Sequence, residues 1–451
     1  MTRTLVRYRC NGCAYESPKW LGRCPDCGEW GTFGDETDIV APAPPVVTPR
    51  SRPAPISEVD GLGAARTPTG VAELDRVLGG GLVAGSVTLI GGEPGMGKST
   101  LLLQALGALA ERGERCLLVS AEESVAQVKL RAERLHTLAP ELLVVAETSL
   151  PAIAAHIDAV APRVCAIDSI QTVYDPDAAG VPGSVAQVRD GAHAIVRIAK
   201  ERGTAVLLVG HVTKEGALAG PRTLEHVVDT VMSFEGDRHH ALRMLRALKH
   251  RFGATDELGL MEMTEAGLVP VADPSALFLA DRRVGGAGSV VTCVLEGSRP
   301  VCVEAQALVA SDKSAAIARR IAQAIDGGRL AMLTAVLDAH AGVTLNENDV
   351  YASIAGGVRV AGPGADLAIA VAVASSHMKR AIEPDTVVIG EVGLGGEVRQ
   401  VPQAPRLLAE AMRCGFRHAI VPASTPDVRG VTLERVADLG RALAATGCSP
   451  G

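Results

Sequence analysis

Short apolar runs alternate with stretches of helical spacing between residues 59 and 270. Four of these runs predict buried strands: SVTLIGG (86–92), CLLVSAEE (116–123), VCAIDSI (164–170) and TAVLLVGHV (204–212). The stretch GKSTLLLQALGALAERG (97–113), which follows the first run directly, predicts a helix. Strands that alternate with helices in this way are typical of an α/β domain with a mostly parallel sheet.

The pattern continues into a second α/β region after residue 271. A predicted hairpin, GLMEMTEAGLVPV (259–271), closes the first region. The elements predicted for the second region are strands at 289–297, 300–309, 386–392 and 418–422, and helices near 314–326, 364–376 and 403–414. No segment of the chain repeats with a fixed period.

The first 58 residues differ from the rest in composition. Residues 1–33 hold five of the eleven aromatic residues of the chain, which suits a small module with little other core. Residues 34–58 contain six prolines and little periodic apolarity, so they predict a semi-extended linker. The predicted organisation is a small module at 1–33, a linker at 34–58, and α/β domains at 59–270 and 271–451.

Composition excludes several broad classes. The 451 residues are 47% apolar and 21% charged, enough to bury sizeable cores. A net charge of −7 excludes a basic footprint for nucleic acid over the whole chain, but not a local basic patch. The N-terminus has no apolar signal core, and no apolar run reaches 18 residues, so we expect a cytoplasmic protein without a membrane span.

The stretch GGEPGMGKST combines a strand, a glycine-rich loop and the start of a helix. Gly92, four further residues and then Gly97-Lys98-Ser99 match the phosphate-binding P-loop, although a chance glycine turn is the alternative. Lys98 is expected to reach the β- and γ-phosphates of ATP, and the Ser99 hydroxyl to ligate Mg²⁺. The residues expected to contact the nucleotide are Gly92, Glu93, Pro94, Gly95, Met96, Gly97, Lys98, Ser99 and Thr100.

Polar residues at the ends of three other predicted strands complete this site. Asp168 is expected to hold the Mg²⁺ water shell, and Glu122, favoured over Glu123, to orient the attacking water. His211 is a candidate sensor of the γ-phosphate. An ordinary strand-end aspartate, a solvated helix N-terminus and a satisfied core histidine are the respective alternatives.

Two Cys-x-x-Cys pairs near the N-terminus, ten residues apart, have the spacing of a tetrahedral metal site. Their cysteines, Cys10, Cys13, Cys24 and Cys27, predict a structural Zn²⁺ site, with redox-active dithiols as the alternative. Isolated cysteines in apolar runs, such as Cys116 and Cys165, are expected to be small core residues. Basic residues around the pairs are balanced by acids and thiolates, so contact with nucleic acid and contact with protein both remain open.

These motifs occur together in one family. The chain resembles the bacterial RadA/Sms DNA-repair ATPases along nearly its whole length, in the motifs CNGC and CPDC, GGEPGMGKST, SAEESVAQVKLRAERL, IDSIQTVYDPD, GVPGSVAQVRD, VGHVTKEGALAGPRTLEHVVD and KHRFG. The resemblance implies an α/β fold with an N-terminal zinc ribbon, a RecA-like P-loop ATPase core and a C-terminal domain similar to the Lon protease domain. It also implies a hexameric ring that moves on DNA, extends strand exchange, and has single-stranded and branched DNA and the RecA recombinase as partners.

The KHRFG stretch supplies two further candidate catalytic residues. RMLRALKHRFG (243–253) predicts a strand, in which Lys249 and Arg251 face the same side as a cationic fork. Lys98 already serves the nucleotide of its own subunit, so the fork is expected to act on the γ-phosphate of a neighbouring subunit. The alternative is a solvated strand face with Phe252 in the core. The family has asparagine where this chain has His250, and both cations are retained.

The resemblance also locates a DNA contact and an inactive protease site. RecA-like rings line their channel with the loops that follow the strands of Asp168 and His211, where Lys214 and Arg222 are the expected DNA-binding cations. Lon proteases use a serine in a Gly-Pro-Ser-Ala turn and a later lysine. Here the turn is Gly-Pro-Gly-Ala (362–365), and QVPQAPRLLAEA (400–411) has no lysine.

The sequence leaves three candidate functions for this chain. The first is a DNA-stimulated ATPase motor that processes recombination intermediates. The second is a ring whose DNA or protein binding is switched by ATP without translocation, and the third, disfavoured by the missing dyad, is a regulated protease.

Overall fold

The predicted α/β architecture is confirmed in the structure, a computed structural model. It describes residues 7–36, 55–58, 65–178, 180–211, 223–236, 241–311, 318–355, 360 and 362–450. The chain divides into two units, residues 1–60 and 61–451. Within the described residues no helix is long and apolar enough to cross a membrane.

The first unit is a three-stranded antiparallel sheet. Its strands are β1 (Arg7–Cys10), β2 (Glu16–Ser17) and β3 (Phe33–Glu36). The order in the sheet is β2-β1-β3, and β1 ends on the first cysteine of the first Cys-x-x-Cys pair. Cys10, Cys24 and Phe33 form the small buried core, so the two cysteine pairs lie where this unit has most of its buried side chains.

A nine-stranded sheet organises the first half of the second unit. Its strands are β6 (Val87–Gly92), β7 (Cys116–Ser120), β8 (Leu142–Ala146), β9 (Val164–Asp168), β10 (Ala205–His211), β11 (Thr230–Gly236), β12 (Leu242–His250), β13 (Leu258–Thr264) and β14 (Gly267–Pro270). A separate hairpin, β4 (Arg66–Thr67) and β5 (Leu82–Val83), precedes them. The sheet order is β14-β13-β12-β11-β6-β10-β9-β7-β8, with β6 to β11 parallel and β12 to β14 antiparallel.

Helices cover both faces of this sheet, which explains why its central strands are continuous apolar runs. The helices are α1 (Ala72–Val77), α2 (Lys98–Glu111), α3 (Val125–Arg134), α4 (Leu150–Val160), α5 (Val185–Arg202) and α6 (Thr223–Val227). One core packs α2 against Ile90 and Leu207, and the other packs α4 and α5 against Leu89 and Leu208. Neighbouring residues of one strand thus enter opposite cores.

A seven-stranded mixed sheet organises the remainder of the chain. Its strands are β15 (Ser289–Glu296), β16 (Arg299–Ser311), β17 (Arg320–Gln323), β18 (Asn348–Ile354), β19 (Thr386–Val388), β22 (His418–Pro422) and β23 (Thr432–Val436). A small hairpin consists of β20 (Glu391–Val392) and β21 (Val398–Arg399). The helices are α7 (Pro274–Leu279), α8 (Gly327–Ala341), α9 (Asp366–Met378), α10 (Ala404–Arg413) and α11 (Leu439–Ala445).

The predicted helix near 314–326 is wrong. Residues Arg320–Gln323 form β17, which pairs in parallel with the edge of β18, and the helix in this region is Gly327–Ala341. The alanines of SAAIARRIAQA favour a helix by propensity, but pairing with a buried strand overrides such weak preferences. Asp326 then accepts a hydrogen bond from the Arg329 amide and caps the helix that the sequence reading missed.

Polar contacts and a shared core connect the two sheets. Glu73 of α1 is 4% exposed and accepts hydrogen bonds from the Leu260 amide of β13 and from the Arg299 guanidinium of β16. Arg246 of β12 forms an ion pair with Glu296 of β15 at 3.0 Å. These contacts join residues on both sides of the predicted domain boundary at 270/271. That boundary therefore stays a prediction from the sequence.

A disulfide joins two cysteines that we expected to be isolated core residues. Cys293 of β15 and Cys302 of β16 are directly opposite each other in the antiparallel pair and are bonded in the structure. Both are fully buried. Cys116 and Cys165 are free and buried, as predicted.

Candidate nucleotide-binding site and cysteine cluster

The phosphate loop leaves the end of β6 and enters α2, as the motif predicts. Gly92 has no room for a side chain, because a Cβ atom there would lie 2.5 Å from the Phe234 carbonyl oxygen of β11. Gly97 has φ +104°, which disfavours any side chain, and a Cβ there would collide with Met263. Gly92 is therefore required by the close backbone of β11, and Gly97 by the positive φ of the loop.

Lys98 begins α2 and folds back over this loop. Its Nζ donates to the carbonyl oxygens of Gly92 at 2.6 Å and Glu93 at 2.9 Å, and the residue is 5% exposed. Burial lowers the pKa of Lys98, while the carboxylates of Asp168 and Glu122 act in the opposite direction. The Lys98 ammonium, held beside the loop by these two carbonyl oxygens, is suited to bind a polyanion such as a nucleotide phosphate group.

Two carboxylates meet beside this lysine because of the order of the parallel strands. Asp168 ends β9, and its register partner Ser120 ends β7, which leads directly to Glu122. Asp168 hydrogen-bonds with Ser99 of α2, and the Ser169 hydroxyl donates to Oε1 of Glu122. The carboxyl ends of parallel strands are where α/β sheets place their ligands.

Glu122 and Glu123 are in different environments. Glu123 forms an ion pair with Arg131 of α3 at 2.6 Å. Its backbone N–H donates a hydrogen bond to the Ser120 hydroxyl. Glu122 instead contacts Ser169, next to Asp168. Glu122 therefore contacts the residue next to Asp168, whereas Glu123 lines a small cavity together with Ser99 and Asp168 and is held there by Arg131.

The electrostatics of this group fit a divalent cation bound with a nucleotide. Burial raises the pKa of Asp168, and the neighbouring charges of Glu122 and Glu123 raise it further, while the Ser99 hydrogen bond lowers it. A hydroxyl and a buried carboxylate form the donor set that Mg²⁺ takes in P-loop sites, with the remaining ligands from water and phosphate. Ser99 and Asp168 would hold Mg²⁺, and residues 92–100 would hold the phosphates of ATP.

The strand that carries Lys249 ends earlier than predicted. It stops at His250, so Arg251 and Phe252 lie in a turn, and Leu248 is an extra residue between the pairs Lys249–Val231 and Ala247–Met232. The alternation argument for a two-pronged fork is therefore wrong, because the strand ends at His250 and Arg251 lies in the turn that follows; the β-bulge at Leu248 comes before Lys249. Tertiary contacts nonetheless bring Lys249 and Arg251 together, and the nearby Arg251 charge adds to burial in lowering the pKa of Lys249.

Both cations contact the segment that follows the predicted DNA-binding loop. Lys249 Nζ donates to the carbonyl oxygens of Glu225 at 2.5 Å and Val228 at 2.8 Å, at the end of α6. Arg251 Nη1 pairs with Oδ1 of Asp229 at 3.1 Å. Asp229 is 3% exposed, and its other oxygen accepts from the Val87 amide, so it links Arg251 to the start of β6.

These contacts place the two cations at the far end of the sheet from the phosphate loop of the same subunit. Lys249 pairs with Val231 and Val231 with Leu89, three residues before the end of β6. Arg251 lies further from the loop, at the level of Val87. Val87 is five residues before Gly92, which is about 16 Å along the strand at about 3.3 Å per residue. By the same spacing Lys249 is about 10 Å from the level of Gly92, and β11 lies between β12 and β6, so neither side chain reaches the loop.

His250 is well accommodated where the family has asparagine. Its Nε2 is 3.2 Å from the Leu78 carbonyl oxygen and its Nδ1 is 2.8 Å from the Thr230 hydroxyl. A carbonyl only accepts, so Nε2 carries the proton and Nδ1 accepts from Thr230. Burial lowers the pKa of His250, which favours this neutral form. An asparagine amide also offers one donor and one acceptor.

The four cysteines of the first unit converge on one point. Their sulfur atoms all lie within 4.8 Å of one another, with Cys10–Cys27 at 3.7 Å and Cys13–Cys24 at 3.5 Å. A tetrahedral site with metal–sulfur bonds of about 2.3 Å has edges of about 3.8 Å, so the cluster fits a Zn²⁺-sized ion. A hydrogen bond with the Thr32 hydroxyl lowers the pKa of Cys10 to about 6, whereas burial and the neighbouring thiols raise the pKa of Cys13 to about 12.

Metal content tests this cluster directly. The purified protein is expected to contain about one Zn²⁺ per chain, and Cys24→Ser to lose it, because three thiolates do not close a structural site. Cys116→Ala is the matched control, since Cys116 is a buried free cysteine of β7. Elemental analysis of the dialysed proteins gives the stoichiometry. Full zinc in Cys24→Ser, or zinc lost equally from Cys116→Ala, would contradict a site at the four cysteines.

Three of the predicted residues lie wholly or partly outside the described part of the chain. Lys214 and Arg222 lie outside the described residues. His211 ends β10 beside Gly92, as its place in the sequence predicts, but its side chain is outside the described part of the chain. Sequence reasoning missed Ser169, Asp229 and their contacts. The position of Ser169 directly after the strand-end Asp168 could have indicated it as a site residue. No feature of the surrounding sequence indicates Asp229.

The turn that the resemblance leads us to compare with the Lon nucleophile is Gly362-Pro363-Gly364-Ala365. Pro363–Ala365 form one turn of 3₁₀ helix before α9. A Cβ atom on Gly364 would contact Val401 at 3.6 Å, so this position faces an apolar side chain. Asp366, the next residue, is 2% exposed and forms an ion pair with Arg329.

Three protein families match parts of the chain. Residues 67–143 match the family described as KaiC ATPase, residues 8–35 match the rubredoxin metal binding domain, and residues 331–425 match subunit ChlI of Mg-chelatase. The first match covers the phosphate loop, and the second covers all four cysteines.

Full-length relatives are also found. The chain is 46% identical to the DNA repair protein RadA of Bacillus subtilis over 453 residues, which cover 98% of this chain and 99% of that protein. It is 48% identical to DNA repair protein RadA of Halalkalibacterium halodurans over 94% of this chain and 93% of that protein. The protein of the same name from Listeria monocytogenes is 46% identical, with 92% of each chain covered.

Proposed function

The chain belongs to the RadA family of DNA repair proteins, and we propose that it is a DNA-dependent ATPase that moves on single-stranded DNA and promotes branch migration of recombination intermediates. The family relationship supports a role in DNA repair, and the KaiC match supports ATP hydrolysis. The motor activity is the finer part of the proposal and rests on the geometry of the ATP site.

The observation that carries the motor proposal is the separation of the cationic pair from its own phosphate loop. Lys249 lies three residues, and Arg251 about five residues, along the sheet from the end of β6, so they serve a nucleotide only if it belongs to another subunit. A head-to-tail contact of this kind generates a ring when its rotation closes. We propose a homo-oligomeric ring, a hexamer by resemblance, with one ATP at each subunit interface.

Each residue then has a defined role in ATP hydrolysis. Lys98 would neutralise the β- and γ-phosphates of bound ATP, and Ser99 and Asp168 would hold Mg²⁺, which would supply further positive charge for the phosphates. Glu122, held by Ser169, orients and polarises the attacking water. Lys249 and Arg251 of the neighbouring subunit stabilise the charge that develops on the γ-phosphate.

DNA contact is proposed for the two loops at the carboxyl ends of β9 and β10. Lys214 and Arg222 would bind the phosphate backbone, which predicts binding that weakens with salt and tolerates any sequence. His211 would report the state of the γ-phosphate to the second of these loops. The zinc ribbon is proposed to contact DNA or a protein partner, such as the RecA recombinase that the resemblance implies.

A second candidate function is an ATP-switched ring without translocation. One observation favours it: Lys249 and Arg251 are both engaged within their own subunit, by α6 and Asp229. ATP binding that releases these contacts would change assembly without requiring repeated turnover. Branch-migration assays distinguish the two functions, because a switch does not move a DNA junction processively.

Proteolysis is not part of the proposed function. The turn at 362–365 has no hydroxyl nucleophile, residues 400–411 have no lysine base, and Gly364 faces Val401. We propose that residues 271–451 are a scaffold for the ring.

Steady-state ATP hydrolysis with and without single-stranded DNA tests the proposal. We expect DNA to accelerate hydrolysis about tenfold, which corresponds to about 1.4 kcal/mol in the activation free energy. The same protein should move a synthetic four-way junction in an ATP-dependent manner. Hydrolysis indifferent to DNA, together with ATP-dependent DNA retention, would support the switch instead.

A further inference from the structure

Arg243 is a buried cation beside the phosphate loop. It lies near the start of β12, is 6% exposed, and its Nε donates to the Met96 carbonyl oxygen at 3.0 Å. Its Nη1 also donates to the Leu242 carbonyl oxygen at 2.9 Å. Met96 is part of the loop itself and is 2% exposed.

The neighbouring strand is shaped to admit this guanidinium. Arg243 pairs with Gly236, three residues beyond Ser233, which is itself the partner of Gly91. Arg243 therefore lies beyond the end of β6, at the level of the loop. A Cβ atom at Gly236 would be 2.8 Å from Cδ of Arg243, so the space for the arginine depends on that glycine.

Holding the Met96 carbonyl has a consequence for the adjacent amide. Met96 C=O and Gly97 N–H belong to one peptide unit, which is planar and trans, so the two groups point in opposite directions. The guanidinium fixes the carbonyl on the β12 side, and the Gly97 N–H is then directed away from β12. Gly97 precedes α2, where amides not used within the helix bind anions.

We propose that Arg243 is a positioning residue of the nucleotide site, which orients the Met96–Gly97 peptide so that the Gly97 N–H donates to a phosphate of the bound nucleotide. The inference rests on the proposed ATP site and adds a residue to it. The charge of Arg243 also strengthens the hydrogen bond to the carbonyl, since bonds to charged groups are stronger than neutral ones.

Arg243→Met tests this role because it keeps much of the apolar bulk and removes every N–H donor of the guanidinium. We expect the KM for ATP to rise about tenfold with kcat within about twofold, since an interaction made equally in the ground and transition states is lost. The affinity for a fluorescent ADP analogue, measured without DNA, should fall by a similar factor. Arg243→Lys, which retains one donor, should recover part of the affinity and serves as the second variant if Arg243→Met does not fold.

Arg246→Met is the matched control. Arg246 is on the same strand, but it forms an ion pair with Glu296 of the second sheet and not a contact with the loop. It should lower the thermal midpoint without changing the KM for ATP. A wild-type KM in both Arg243 variants would overturn the inference, as would a fall in thermal stability without a change in nucleotide affinity. Wild-type protein that neither binds nor hydrolyses ATP would instead overturn the proposed function.

Discussion

Glu122→Gln is expected to lower ATP hydrolysis by about 10²–10³-fold while ATP binding stays within a few-fold of wild type, because a positioned general base contributes rate and little affinity. Glutamine retains the size of the side chain and can still accept the Ser169 hydrogen bond. It cannot take up a proton from water. Single-turnover hydrolysis of radiolabelled ATP, beside equilibrium binding of a fluorescent ATP analogue, separates the two effects.

Glu123→Gln is the matched control for this substitution. The two acids are adjacent, and removing either changes the charge of the site by one unit. Glu123 is paired with Arg131 of α3, so its loss should change the rate by about twofold or less, as for other partly exposed ion pairs. Equal losses in both variants would mean that net charge, and not the position of Glu122, determines the rate.

Lys98→Ala and Lys249→Ala are each expected to abolish ATP turnover alone, and to restore part of it when mixed. Lys98 lies at the phosphate loop, and Lys249 lies at the far end of the sheet, so one active site takes its lysines from two subunits. In a head-to-tail ring assembled from an equal mixture, about one quarter of the interfaces join an intact loop to an intact Lys249. We therefore expect up to about a quarter of wild-type turnover.

The dependence on mixing ratio makes this measurement specific. Turnover should peak at equal amounts of the two variants and fall toward zero at either extreme. Mixing two preparations that both carry Lys98→Ala gives the background. Intact rings, verified by light scattering, with no recovered activity at any ratio would contradict the proposal that Lys249 acts on a neighbouring subunit.

Local chemistry explains which parts of the site were predictable. The P-loop at 92–100 and the cysteine pairs at 10–27 are contiguous motifs, and their spacing alone specifies a phosphate cradle and a tetrahedral cluster. Asp168 and Glu122 were predicted because each follows an apolar run that predicts a buried strand. Parallel strands bring their carboxyl ends to the same edge of a sheet.

Contacts between distant residues explain what was missed. The stretch 318–323 has helical propensity, but an unpaired edge of β18 makes a strand more stable there. The bulge at Leu248 changes the strand that carries Lys249, and nothing in the surrounding sequence marks it. Asp229 and Arg243 act on Val87 and Met96, more than 140 residues away in sequence.

The sequence by itself determined the α/β class, the phosphate loop, the cysteine cluster and the strand-end acids, because each depends on residues close together in the chain. Only the tertiary structure decided where the second set of cations lies. Strand order and register place Lys249 and Arg251 at one end of the sheet and Lys98 at the other. The register of hydrogen bonding between the strands sets the distance between these cations and Lys98. The pattern of residue types along the chain does not specify that register.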